Sequence, residues 1–293
     1  MILVVGGSSK IGLELVRLLR EQGEAVRAVV RRPESGDALR ALGVEVVEGD
    51  LARPDTIATA LQGADRMFLL SSPHHDVVAW QEHAIDAAAR AGLRLLVRSS
   101  ILGADSASPM TFARQHGRID EHLERSGMAF AILRPNYFAQ NVTTVNAPSI
   151  DADGRLFVPA GNARLSMTDT RDVAAVAAAI LSGEGHTGRA YDVTGPEALS
   201  HQDVADKLGA AMGRPVEYID VPLETFRQTM LGYGLQRWLV DGLFNMYEDY
   251  QRSGRDGYAA RVTDTVEQVT GRRARTLDAL LAEWRPSMAA DRP

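Results

Sequence analysis

The chain has no cysteine in its 293 residues, which excludes a disulfide framework, a thiolate metal site and a cysteine nucleophile, and which fits a reducing compartment. Lysine is nearly missing too: Lys10 and Lys207 stand beside 30 arginines. No apolar run approaches the roughly 18 residues that a membrane-spanning helix needs. The opening "MILVVGG" lacks the basic segment and cleavage site of a secretory leader, so the expected location is cytoplasmic, with no membrane as partner. Positive charge is not in surplus either. A formal charge of -6, without a dense cationic cluster, argues against a surface that tracks nucleic-acid phosphates. No G-x-S-x-G nucleophile turn occurs. The adjacent His74 and His75 read as a polar loop without carboxylate or thiolate companions at ligand spacing, so no metal is expected.

What is present is a rhythm. Short β-branched runs ("ILVV", "AVRAVV", "VEVVE", "RMFLL", "RLLVRSS", "AFAILRP") alternate with amphipathic stretches of helical length, the pattern of a parallel sheet with crossover helices. The linking segments, such as "EQGE" and "LQGAD", are short and turn-rich. The fold class expected is therefore α/β: a doubly wound parallel Rossmann sheet with a smaller, mainly helical C-terminal region. Residues 1–135 form the nucleotide-binding unit, completed by about 165–195. Residues 136–164 and 196–293 form the region over the carboxyl ends of the strands, where ligands bind in such sheets.

The first run leads into "VVGGSSKIG", at the place where a helix N-terminus meets a phosphate. Gly6, Ser8, Ser9, Lys10, Ile11 and Gly12 are the candidate contacts. The loop reads as G-x-x-x-G-x-G with Lys10 in a glycine's place, or as G-x-x-G-x-x-G with Ser9 substituted. Arg31 and Arg32 end the second run, where an arginine accepts the 2′-phosphate of NADP and an acidic residue would hydrogen-bond the 2′-hydroxyl of NAD. Asp50 and Leu51 of "EGDL" end the third run, where an adenine could lie.

In order and spacing, "GGSSKIG", "AVVRRP", "EGDL", "LLSSP", "HGRIDEHLERSG", "LRPNYFAQN", "RDVAAVAAAIL" and "AYDVTGPEALSHQDVA" resemble the NmrA-like group of atypical short-chain dehydrogenases. That group includes NADPH-dependent quinone, triphenylmethane and isoflavone-type reductases as well as redox-sensing regulators. The resemblance spans nearly the whole chain and selects G-x-x-G-x-x-G, with Ser9 where the group carries glycine. A serine there narrows the approach to the pyrophosphate; its hydroxyl and the Lys10 charge would compensate as phosphate contacts. The resemblance also implies that Ser71, Ser72, Pro73, Ser99 and Ser100 border the nicotinamide and its ribose, and that Asn136, Tyr137 and Phe138 form the substrate wall.

The Tyr-x-x-x-Lys pair of the wider superfamily is impossible here, because Gly6 and Asp203 stand four residues before the two lysines. Hydride transfer to an electron-poor acceptor needs alignment more than a strong acid, since the difficult chemistry belongs to the cofactor. The expected activity is an NADPH-dependent reduction of a small apolar quinone, enone or aromatic ketone, with NADP(H) preferred over NAD(H). The alternatives are an NADP(H) redox sensor acting on a protein partner and a related dehydratase or epimerase. His116 is the candidate proton donor: in "FARQHGRIDEHLERSG" it shares a helical stripe with Ile119, Asp120 and Leu123, so it faces inward. The resemblance points to the same position. Asp120, one turn on, is expected to orient the imidazole or raise its pKa. Phe226, Tyr233, Trp238, Phe244 and Tyr247 are candidates for the cavity wall or for helical core. A monomer or homodimer is expected.

Overall fold

The computed structural model describes residues 1–290, with side chains to residue 284. Its elements follow in the order β1 (Ile2–Val5), α1 (Lys10–Glu21), β2 (Val26–Val30), α2 (Asp37–Ala41), β3 (Glu45–Glu48), α3 (Pro54–Ala60), β4 (Arg66–Leu69), α4 (Val77–Arg90), β5 (Leu95–Ser99), α5 (Thr111–Arg125) and β6 (Phe130–Pro135). Two short strands, β7 (Arg155–Phe157) and β8 (Arg164–Leu165), precede α6 (Thr170–Ser182) and β9 (Arg189–Val193). The remainder comprises β10 (Leu199–Ser200), α7 (His201–Met212), β11 (Glu217–Ile219), α8 (Leu223–Gly232), α9 (Arg237–Ser253), α10 (Thr265–Thr270) and α11 (Leu277–Ala290).

Seven strands form one parallel sheet in the order β3-β2-β1-β4-β5-β6-β9. Each of the six apolar runs is one of its strands, and β9 is added at the far edge. The inner strands are largely apolar on both faces because both are covered, whereas the edge strands β3 and β9 are partly exposed. Ile2, Val4 and Phe68 point to one side, with Leu15 and Leu19 of α1 and Val173 and Ile180 of α6. Leu3, Val5, Met67 and Leu69 point to the other, with Ile57 of α3, Ile85 of α4 and Leu123 of α5. Helix α6 is buried along nearly its whole length, which explains why "VAAVAAAIL" is apolar all round rather than on one stripe.

A separate core unites α7, α9 and α11 with the small pairs β7–β11 and β8–β10. It begins where β6 ends and includes Val142, Leu156, Leu165, Leu208 and Tyr247. Strand order reverses between β1 and β4, so the crevice for a ligand opens above the carboxyl ends of these two strands. Among the described residues, no helix is long and apolar enough to cross a membrane.

Candidate functional site

Two glycines let the chain turn sharply from β1 into α1. Gly6 has φ +85°, and a Cβ there would sit 2.7 Å from the Leu70 carbonyl oxygen. A Cβ on Gly12 would sit 2.1 Å from the Gly6 carbonyl oxygen. Gly12 therefore seats the helix on the loop from beneath and does not itself line the crevice. Ser9 has φ -75°, a conformation open to any residue, and it caps α1: its Oγ accepts from the Gly12 N–H at 3.0 Å and donates to the Gly6 carbonyl at 2.8 Å. The expectation that this hydroxyl compensates as a phosphate donor is thus corrected, because its proton already serves the loop. The free donors are the backbone N–H groups at the start of α1, at Lys10 and Ile11, which no helix partner can reach.

The crevice has a volume of about 590 Å³. Gly6, Ser8, Ser9, Lys10 and Ile11 lie along its floor. Arg31 and Arg32, both exposed at the end of β2, lie at one end with Asp50 and Leu51. Arg32 is held loosely by Glu34 at 3.5 Å. Asp50 accepts from the Ala52 N–H through one oxygen at 3.0 Å, and Thr56 fixes its own N–H. A Cβ on Gly49 would lie 2.8 Å from Val29 Cγ1, so the wall beside Asp50 is also tightly packed.

Ser71, Ser72 and Pro73, which follow β4, lie at the other end with Phe138. The same wall includes Trp80, Gln140, Asn141 and Thr170, none of which the sequence singled out. Gln140 is locked by Asp169 at 2.8 Å and by the Thr170 N–H at 2.9 Å. His74 lines this end and stacks on Trp80, and Trp238 of α9 approaches both His74 and His75 at 6.0 Å. Burial, His75 and Arg31 lower the His74 pKa, although Asp76 opposes them. The reading of the histidine pair as lacking a carboxylate companion is corrected. Asp76 lies 3.0 Å from His75 Nε2 and donates its backbone N–H to His74 Nδ1 at 3.1 Å. Potential ligand atoms of the three residues lie within 4.8 Å of one another.

Behind this end is a buried polar chain. Ser71 Oγ accepts from Gln81 Nε2 at 2.7 Å, and Gln81 Oε1 accepts from Arg98 Nε at 2.8 Å. Arg98, fully buried on β5, ion-pairs with Asp120 and reaches His116 Nδ1 at 3.1 Å. Asp120 also accepts from Ser100 at 2.9 Å and from Arg134 at 3.2 Å. The expected pairing of Asp120 with His116 is corrected, since both oxygens of Asp120 serve donors from β5 and β6. The sign of its expected effect is corrected with it. Burial first, and the Arg98 charge second, push the His116 pKa well below its ordinary value. Burial also lowers Arg98 to about 10 despite Asp120.

Ser99 and Ser100 are buried and do not line the crevice. Nor does Asn136 reach it. Its amide donates to Ser166 Oγ at 2.8 Å and to the Ala259 carbonyl at 2.7 Å, while its oxygen accepts the Tyr137 N–H. Tyr137 bonds Tyr247 and Asn141 and packs in the C-terminal core. Both residues therefore join the two cores, and of the three wall candidates Phe138 alone faces the crevice. Phe226 meets Tyr247 edge-on at 5.3 Å, Phe244 lies under Arg227, and Tyr233 is exposed. A charged residue inside an apolar strand, as in "LLVRSS", is the signal that could have located Arg98, because a buried arginine requires partners.

The model of the NmrA-like family matches residues 1–285. The chain is 41% identical over 276 residues to the NAD(P)H azoreductase of Xenophilus azovorans, covering 94% of this chain and 95% of the relative. It is 34% identical over 292 residues to a (4-alkanoyl-5-oxo-2,5-dihydrofuran-3-yl)methyl phosphate reductase of Streptomyces griseus, covering 99% and 100%. The Escherichia coli quinone oxidoreductase QOR2 complexed with NADPH superposes with a TM-score of 0.87 at 26% identity, covering 97% of this chain and 99% of that one.

Proposed function

The chain belongs to the NmrA-like family, and from that premise we propose that it is an NADPH-dependent reductase of small, flat, electron-poor molecules: quinones, enones and aromatic ketones. The observation that carries this reading is the polarity of one crevice. Its floor offers helix N–H groups and Lys10, one end offers two exposed arginines, and the other end is lined by Phe138, Trp80 and Pro73. Relatives named for azo and quinone reduction support the reaction class.

A dinucleotide fits these residues. The tight Gly6 and Gly12 contacts bring backbone close to the crevice floor, where the N–H groups of Lys10 and Ile11 would hold a pyrophosphate. Arg31 and Arg32 would hold a 2′-phosphate through charge-assisted hydrogen bonds. Ser71, Ser72 and Pro73 would border the nicotinamide, and Ser100 would act from behind through its hydrogen bond to Asp120. NADPH, when bound, supplies the hydride. The protein's part is to orient the acceptor against Phe138 and Trp80, to exclude water there, and to stabilise the charge that develops on the acceptor oxygen. His116, half-buried on α5 behind this end and not itself lining the crevice, would take the last task by reaching the acceptor from α5.

Mixing the full-length protein with NADPH or NADH and a panel of quinones, enones and azo dyes tests the reading. Acceptor-dependent cofactor oxidation, faster with NADPH, is expected. Tight NADPH binding with no acceptor turned over would replace it with the sensor reading.

A further inference from the structure

We infer that Arg98 is a positioning residue that holds His116 in the tautomer with its proton on Nε2, so that His116 serves as a hydrogen-bond donor rather than as an acid. This rests on the assignment of His116 to the developing oxygen charge. A guanidinium has only donors, so the 3.1 Å contact from Arg98 Nη2 to His116 Nδ1 makes Nδ1 the acceptor. The ring proton is then on Nε2. Protonating Nδ1 would oppose two N–H groups and bring a second cation against the first.

Arg98 cannot easily give way. Its Nε is held by Gln81 at 2.8 Å, and Asp120 pairs with Nη1. Nη1 also lies 3.4 Å from the His116 carbonyl oxygen, so the same fork meets both the ring and the backbone of one residue. Among the described residues, the neighbouring elements bring no carboxylate to the imidazole. Asp120 on its own helix is taken by Arg98, Ser100 and Arg134, and Glu121 by Arg125 and Ser106. Helix α4 meets α5 through Asp86 and His122, and α9 meets it through Asn245 and Thr111. Burial and the Arg98 charge both disfavour imidazolium.

The consequence is a division of labour in the reduction. The acceptor gains a hydride on one atom as its π bond breaks, and that π pair moves onto its oxygen. The Nε2–H stabilises that oxygen without giving up its proton, as neutral imidazoles do elsewhere, and water supplies the proton afterwards. No imidazolium is consumed, so turnover need not fall as pH rises through the ordinary histidine range.

Long-range proton–nitrogen NMR of the full-length protein labelled with nitrogen-15, with His116→Gln used for assignment, reads the tautomer directly. Nδ1 unprotonated and Nε2 protonated, without titration between about pH 6 and 8, is the expected result. An Nδ1-protonated ring, or imidazolium within that range, would overturn the inference. In Arg98→Met, the His116 pKa is expected to rise, because the Arg98 charge no longer opposes imidazolium, and the ring is freed from the Nε2-protonated tautomer, while the KM for acceptor changes little. A folded Arg98→Met protein in which both the tautomer and the pKa of His116 match the wild type would also overturn it. If this variant does not fold, the wild-type spectrum decides alone. His116→Ala with undiminished turnover would instead remove His116 from the reaction and leave the wild-type tautomer as it is.

Discussion

The His74 ring lies on the indole of Trp80, with centroids 3.9 Å apart and 18° between planes. Trp80 starts a helix packed on the Rossmann sheet, and Trp238, on α9 of the second region, closes on the histidines from the opposite side. Beside the apolar end of the crevice, His74 and Trp80 of the first part thus meet Trp238 of the second in one aromatic cluster. A stacked ring is worth about 0.5 to 1.5 kcal/mol beyond its buried area. Trp80→Ala is accordingly expected to raise the KM for planar acceptors about tenfold while changing NADPH affinity much less. Equal losses in both would show that Trp80 supports the whole crevice rather than its acceptor end.

Arg31 is expected to set the preference for the phosphorylated cofactor. Neither it nor Arg32 is buried, and Arg32 is partly engaged by Glu34, so Arg31 is the freer donor. Charge-assisted contacts contribute about 1.5 to 3 kcal/mol. Arg31→Ala should therefore weaken NADPH about ten- to a hundredfold and leave NADH nearly unchanged, as measured by calorimetry. Equal dissociation constants for the two cofactors in the unaltered protein would refute the assignment.

Ser9 is a helix cap in this structure, and substitutions there separate capping from cofactor contact. Replacing an N-cap serine with alanine typically costs about 1 kcal/mol, and with glycine a few tenths. Ser9→Ala should lower stability by about that amount and Ser9→Gly by less, both read by denaturant unfolding. NADPH affinity should stay within about tenfold in each, or about 1.4 kcal/mol. A larger loss of affinity in Ser9→Gly would mean that the hydroxyl turns to the phosphate on binding.

His201 predicts a specific acid sensitivity. It is buried at the start of α7, neither ring nitrogen has a hydrogen-bond partner among the described residues, and burial lowers its pKa from 6.5 to about 4 despite Asp220. Between these values the unfolded chain takes up a proton that the native ring refuses, so stability falls as pH falls from about 6.5 to about 4. At about 1.4 kcal/mol per pH unit, the full effect is about 3.5 kcal/mol. His201→Leu should flatten that part of the stability profile. An unchanged slope in the variant would assign the acid sensitivity to other groups.

Legibility followed the range of the interaction. Each of the six apolar runs is a strand because a short continuous β-branched run is a property of neighbouring residues, and it marks a strand covered on both faces. The glycine loop was equally readable, since the left-handed φ of Gly6 and the close approach at Gly12 exclude a side chain. Arg31 and Asp50 could be placed from the strand ends, because carboxyl ends of parallel strands share one edge, and Ser71 and Phe138 from the family resemblance. The family resemblance, carried by spacing over the whole chain, matched the fold and the NmrA-like assignment.

Contacts between elements were not readable. Spacing on α5 suggested that Asp120 would serve His116 one turn away, but a fully buried guanidinium from β5 competes for the same carboxylate and wins, because an unpaired buried charge is far costlier than a solvated one. Asn136 looked free to meet a substrate until the fold brought Ser166 and the Ala259 carbonyl, 123 residues away, to its amide. The sequence by itself determined the strands, the glycine loop and the family. Tertiary structure alone decided which polar side chains remain available to a ligand, because burial forces each polar group to take whatever partner the packing supplies.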